Sequence, residues 1–207
     1  MRLTKLEALP VDRFSLTLED GTVLRCGVQE VLDFGLRSGL DLEGETLERL
    51  REACAAWGVR QKAAALLAAR DMSAGELKQK LTEKGADPRL AEEAVRRLLE
   101  LGAIDERAYA ASVVRHYAAK GYGKRRIEQE LYRHKLPRAL WAEAVETLPD
   151  TRDTLDALVK KRLASAPTDR AGLKKLADGL LRRGYGWEEV RAAIARNVAQ
   201  EDNDFDD

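Results

Sequence analysis

The chain has 207 residues, with 36 Lys/Arg balanced by 36 Asp/Glu, 44% hydrophobic residues and only 5% aromatics. At 35% charged it lies well above the usual quarter, yet it carries enough apolar side chains for one to three small cores. No apolar run approaches the ~20 residues of a membrane span, and the opening MRLTKLEALP lacks the apolar stretch of a secretory signal. Cys26 and Cys54 are the only cysteines; unpatterned, they read as reduced thiols in a cytosolic chain.

The charge is unevenly spread. Residues 1–57 hold 7 basic and 11 acidic side chains, residues 58–200 hold 29 and 20, and residues 201–207 hold none and 5. A basic body with an acidic tail is typical of chains that meet a polyanion.

Taken in order, the chain starts with strands. Phe14, Leu16 and Leu18 alternate with polar neighbours, and Asp20-Gly21 marks a hairpin turn. The pattern predicts a three-stranded antiparallel sheet over Leu3–Leu9, Arg13–Glu19 and Thr22–Val28. Two helices follow: VLDFGLRSGL, interrupted by Gly35 and Gly39, and GETLERLREACAAW, with Leu47, Leu50 and Cys54 on one face.

From residue 58 onward the sequence repeats. Leu77, Leu81, Ala94 and Val95 recur as Ile127, Leu131, Ala144 and Val145 at an offset of 50, and Leu77, Leu81, Gly85 and Val95 recur as Leu176, Leu180, Gly184 and Ile194 at an offset of 99. A fixed period of helical segments is the signature of a repeat array, and this length fits three helices per unit. The fold class expected is mainly α: three tandem three-helix repeats over 58–106, 107–150 and 151–200, preceded by a strand-bearing module over 1–57. The acidic segment 201–207 is expected to be disordered.

In the first repeat a helix is predicted over Gln61–Arg70. Ser73 with Glu76 forms a capping box, Gly85 ends the second helix, and Asp87-Pro88 opens a third that Gly102 closes. In the second repeat, helices are predicted over Arg107–Lys120, Lys124–His134 and Arg138–Leu148, with a junction at Pro149-Asp150. The third has an analogous break over residues 166–169 and ends its middle helix at Gly184.

No residues assemble a catalytic or metal-binding pattern, so neither an enzyme nor a cofactor is expected. The two histidines, His116 and His134, read as helix-end residues, and Gly121-Tyr122-Gly123-Lys124 lacks the second half of a phosphate loop. The basic residues are more informative. With Ile127 and Leu131 facing the core, Arg126, Gln129 and Arg133 form a stripe on the far side, with Arg125 beside it. The equivalent residues are Lys175, Asp178 and Arg182 in the third repeat and Glu76, Gln79 and Glu83 in the first, so the stripe changes sign with the repeat. Candidates for binding a partner or DNA are Lys124, Arg125, Arg126, Gln129, Arg133, Lys160, Lys161, Arg162, Lys175, Arg182 and Arg183. Tyr122 and Tyr132 are expected to pack between units rather than stack on bases. Trp141 is expected in the core, and Trp57 at the join of the N-terminal module to the array. The acidic tail reads either as a solubility segment with no coupling to binding or as a competitor with phosphates for the third repeat.

Several motifs, in order, resemble the RecX family of bacterial regulators of RecA recombinase. They are Arg70–Leu81 (RDMSAGELKQKL) with Gly85, then Gly102–Glu106 (GAIDE) with Tyr109-Ala110. Gly121-Tyr122-Gly123 with Ile127, Glu130 and Leu131 follows, and last Leu181–Tyr185 (LRRGY). Lys135 departs from the pattern, standing where a helix-ending glycine is usual, so its turn is expected to differ in shape. The resemblance implies a protein that lies in the groove of the RecA filament on single-stranded DNA, bridges its subunits and restrains filament growth and strand exchange. It also implies a monomer that contacts DNA without sequence preference. The alternative is a helix-turn-helix transcription regulator, which would dimerise and present one recognition helix per subunit.

Overall fold

The structure is a computed structural model that describes residues 1–148, 150–165 and 169–203, the side chains of 199–203 excepted. The chain divides into two compact units, Met1–Ile104 and Asp105–Asp207.

The first unit opens with an antiparallel sheet of β1 (Leu3–Leu9), β2 (Arg13–Leu18) and β3 (Val23–Gly27), in that order across the sheet. Its register pairs Leu6 with Leu16 and Leu16 with Leu24. Asp20-Gly21 makes the expected turn: Gly21 sits at φ +81°, and the Asp20 carboxylate accepts from the Thr22 amide at 2.8 Å. Alternation puts Leu16 and Leu18 inward, where they are fully buried with Leu3, Cys26, Leu50 and Cys54.

Behind the sheet, α1 (Val28–Asp33) is shorter than predicted, because Gly35 at φ +58° turns the chain out of the helix. The next element corrects the sequence reading more substantially. The segments read as two helices, 44–57 and 61–70, form one continuous helix, α2 (Gly44–Ala69), which carries Gly58 in its interior. The boundary expected between residues 57 and 58 therefore falls inside a helix. Leu47, Leu50 and Cys54 pack on the sheet, while Val59 and Ala63 enter the core of the first repeat. The buried Glu30 carboxylate fixes the junction, accepting from the Gly27 amide at 2.9 Å and from the Arg60 guanidinium at 2.6 Å. Trp57 lies against Gly27 at the same place, so close that a β-carbon there would meet its indole nitrogen at 2.6 Å.

The first repeat is completed by α3 (Ala74–Glu83) and α4 (Pro88–Glu100). Ser73 accepts from the Glu76 amide at 3.0 Å, and Asp87 caps α4 with Pro88 in its first turn. Leu77 and Leu81 are fully buried with Ala91, Ala94 and Val95.

The second unit contains α5 (Glu106–Ala119), α6 (Lys124–Arg133), a 3-10 turn over Arg138–Leu140 and α7 (Trp141–Glu146). Then come α8 (Arg152–Leu163), α9 (Arg170–Arg182) and α10 (Trp187–Asn203). The third helix of the second repeat is thus shorter than predicted and opens as a 3-10 turn. Ile127 and Leu131 anchor one core, and Leu176 and Leu180 occupy the equivalent places in the other. Lys135 takes up φ +52°, so the turn keeps the left-handed shape of a glycine cap despite the side chain. The breaks expected at Pro149 and at residues 166–168 lie outside the described residues. Helix α10 runs on to Asn203, so the first three residues of the acidic segment continue it; residues 204–207 lie outside the described residues.

Backbone contact joins the second and third repeats. Gly123, at the N-cap of α6, has no side chain to cap the helix. The third repeat supplies the cap instead: the Arg125 amide donates to the Gly184 carbonyl at 3.1 Å, and the Gly123 amide donates to the Arg183 carbonyl at 2.9 Å. These bonds satisfy amides that every helix start leaves without an internal partner.

Candidate nucleic-acid interface

Helix α6 begins Lys124-Arg125-Arg126 with no acidic residue in its first turn. The first turn is the positive end of the helix dipole, where each cation costs about 0.3–1 kcal/mol when exposed. Stability does not explain this placement; an anion met by the exposed Lys124 and Arg125 side chains does, the Arg125, Arg126 and Ile127 amides being taken by the Gly184 and Gly123 carbonyls.

The arginines are not equivalent. Arg125 and Arg133 are exposed, whereas Arg126 is half-buried and spent on structure. Its guanidinium pairs with the Glu130 carboxylate at 2.7 Å and lies 5.8 Å from the centre of the Tyr122 ring. Arg133 reaches the same carboxylate at 3.3 Å. Glu130 is only 3% exposed and also hydrogen-bonds Tyr117, whose phenol is held above its ordinary pKa first by burial and then by that negative charge. The expectation that Arg126 stands free on the outer stripe is therefore corrected: it faces inward enough to pair with a carboxylate on the core side. Glu130 was detectable in the sequence, three residues from Ile127 and beside Leu131.

Arg183 is also a structural group. It donates to the Lys120 and Gly121 carbonyls at 3.2 and 3.3 Å, closing the C-terminal end of α5, and lies 5.6 Å from the Tyr122 ring centre. Tyr122 packs between the repeats as expected. Tyr132 does not; it is 68% exposed.

A hollow of about 650 Å³ gathers Arg125, Arg126, Gln129, Arg133 and two residues the sequence reading did not select for binding, Arg138 and Tyr132. Trp141 forms one wall, with the Arg138 guanidinium 5.5 Å from its ring centre. Trp141 is thus half-buried, partly in the core and partly at the surface, rather than wholly in the core. Glu128 is the one carboxylate among the residues that line it. Guanidiniums that pair with phosphates, beside aromatic faces on which bases stack, are what a single nucleic-acid strand requires.

The other candidates stand elsewhere. Lys160, Lys161 and Arg162 are exposed in the last turn of α8, where cations suit the dipole and need no ligand to explain them. Lys161 and Arg162 border a separate hollow of about 320 Å³ with Arg183. Lys175 and Arg182 are exposed on α9, with Asp178 between them. Lys124 borders a hollow that adjoins the one around Arg125 and shares Glu128, Arg138 and Trp141 with it. In the first repeat the equivalent stripe bonds within its own unit, Glu76 pairing with Arg70 at 3.1 Å and Gln79 donating to the Glu83 carboxylate. Among the described residues no group of three or more His, Cys, Asp or Glu could hold a metal ion, and no helix is long and apolar enough to cross a membrane.

Comparison with known proteins agrees with this organisation. The family models described as the first and second three-helix domains of RecX match residues 60–98 and 105–145. The regulatory protein RecX of Xanthomonas campestris pv. campestris (strain B100) is 38% identical over 135 residues, 64% of this chain and 83% of that protein. That of Stenotrophomonas maltophilia (strain K279a) is 36% identical over the same shares. A crystal structure of regulatory protein RecX superposes with a TM-score of 0.74 at 20% identity, covering 94% of this chain and 98% of the other. The chain belongs to the RecX family of regulatory proteins.

Proposed function

We infer that the protein is a negative regulator of RecA recombinase. On this reading it lies along the groove of the RecA–single-stranded DNA filament, bridges neighbouring subunits and limits filament growth and strand exchange. Membership of the family supports the regulatory role. The observation that carries the DNA part is the α6 hollow, where Arg125 stands exposed in the first turn, at the end of a helix that disfavours a cation, and Arg133, Arg138 and an exposed tyrosine line the same surface. A helix-turn-helix transcription regulator is the second reading; it requires sequence preference in duplex DNA, which phosphate and stacking contacts do not supply.

The test reverses Arg125, Arg133 and Arg138 to Glu together and leaves the braced Arg126 in place. The fold should survive, since all three side chains are exposed and the first repeat already carries Glu83 at the position equivalent to Arg133. Affinity for RecA filaments on single-stranded DNA is expected to fall at least tenfold. The slope of log K against log salt should become shallower by roughly 2, at about 0.7 per lost single-strand phosphate contact. Unchanged affinity and slope would make the hollow an ordinary solvated face, and sequence-specific duplex binding without RecA would favour the second reading.

A further inference from the structure

The third repeat carries an open trough of about 770 Å³ between α9 and α10. Leu173, Ala177, Val190, Ile194 and Val198 form its floor, and Trp187, 53% exposed, stands at one end. Arg170, Lys174 and Arg191 line its edges against a single carboxylate, Asp178.

The other two repeats show what this face does. The second and third repeats align at an offset of 49, which places Lys124, Glu128, Trp141, Ala142 and Val145 over Leu173, Ala177, Val190, Arg191 and Ile194. In the second repeat those residues line a hollow of about 700 Å³ whose far wall is Tyr185 and Glu189, from the third repeat. There the face is bordered by the ring of Tyr185, which belongs to the third repeat's own core, and by the Glu189 carboxylate, which accepts from the Gly186 amide at 2.6 Å. In the first repeat, at an offset of 99, Ala177 and Arg191 correspond to Lys78 and Glu92, and these two bridge α3 to α4 at 2.8 Å. An ion pair thus spans the face in the first repeat and a neighbouring repeat borders it in the second. In the third, small and cationic residues leave it open, and no described residue covers it.

We propose that the α9–α10 trough is a docking site for an amphipathic helix of a protein partner, one with apolar residues along one face and carboxylates beside them. The floor from Trp187 to Val198 runs about three helical turns, or roughly 16 Å, enough for anchors at i, i+3 or i+4, and i+7. Arg170, Lys174 and Arg191 select carboxylates on the incoming helix and disfavour cations. This surface shares no residue with the α6 hollow and takes protein rather than nucleic acid, so it does not depend on the DNA contact inferred above.

The test uses the full chain without RecA or DNA. The probe is a fluorescent helical peptide of about 16 residues with leucines at i, i+3 and i+7 and glutamates flanking them, alongside its twin with lysine for every glutamate. The glutamate peptide should bind at least tenfold more tightly than the lysine peptide. Transplanting the first repeat's ion pair, as A177K with R191E, should close the trough and weaken the glutamate peptide at least tenfold. The surface substitutions R191E and W187A, each made alone, should weaken it severalfold with the helical signal intact; these decide the matter if the double variant does not fold. Equal binding of the two peptides, or wild-type binding by both single variants, would overturn the proposal. A dimer in sedimentation that R191E dissolves would also overturn it, by assigning the trough to a second copy of this chain.

Discussion

Replacing Gly184 by alanine is expected to cost roughly 2–5 kcal/mol, combining overpacking with a left-handed backbone. Gly184 sits at φ +91°, and a β-carbon there would lie 2.3 Å from the Arg126 amide nitrogen and 2.6 Å from the Arg126 β-carbon. The obstacle is backbone, which cannot swing aside, so the start of α6 must move away from the end of α9. Two bonds between the repeats are lost with that movement, including the one that caps α6. Gly123→Ala should behave alike, since its β-carbon would fall 2.5 Å from the Gly184 carbonyl carbon. Gly85→Ala is the control: φ is +81° but nothing lies within 4 Å, so only the backbone cost of about 1 kcal/mol applies. Urea denaturation of the three variants measures the differences. A loss at Gly184 no larger than at Gly85 would show that the second and third repeats are not locked by this contact.

The second large effect lies in the cores. Leu81, Leu131 and Leu180 occupy equivalent positions in the three repeats and are 0, 0 and 4% exposed. Truncating any one to alanine should cost about 2–5 kcal/mol, the range for a buried leucine that leaves a cavity. Calorimetry and far-UV dichroism on the three variants check this. Retention of full stability in all three would be incompatible with the shared core role.

Much of this architecture is legible in the sequence because its signals are local. Leu77, Ile127 and Leu176 recur with their neighbours at fixed offsets, and Phe14, Leu16 and Leu18 alternate. What escapes is whatever depends on a partner distant in the chain. Gly58 reads as punctuation, yet α2 passes through it: a glycine costs only about 1 kcal/mol in a helix interior, and burial of Val59 and Ala63 outweighs that. The pattern also misleads, because the buried stripe steps five residues from Cys54 to Val59. That step rotates it by roughly 140°, so one helix presents two faces and reads as two. In the site, helical spacing alone finds Arg125, Gln129 and Arg133. The Arg126–Glu130 pair, four residues apart on one helix, is open to the same spacing argument and was overlooked; that Arg183 closes α5 could not be seen, since that role arises only when two repeats meet. Arg138 was missed for a related reason: an arginine after a proline looks like an ordinary surface residue until the fold sets it beside the hollow. Tyr132 is expected to pack between units rather than to stack, which its exposure overturns.

The unbroken helix α2 has a consequence for how the first unit opens. Leu50 and Cys54 belong to the core under the sheet, and Val59 and Ala63 to the core of the first repeat. Severed after Trp57, the remaining piece of helix would be about a dozen residues, the length at which an isolated helix is marginal in water. Neither core can lose its half of α2 without fraying the other's, so sheet and repeat form one cooperative folding unit. The amide protons around Gly58, midway along the shared helix, should then exchange with solvent only when the whole unit unfolds.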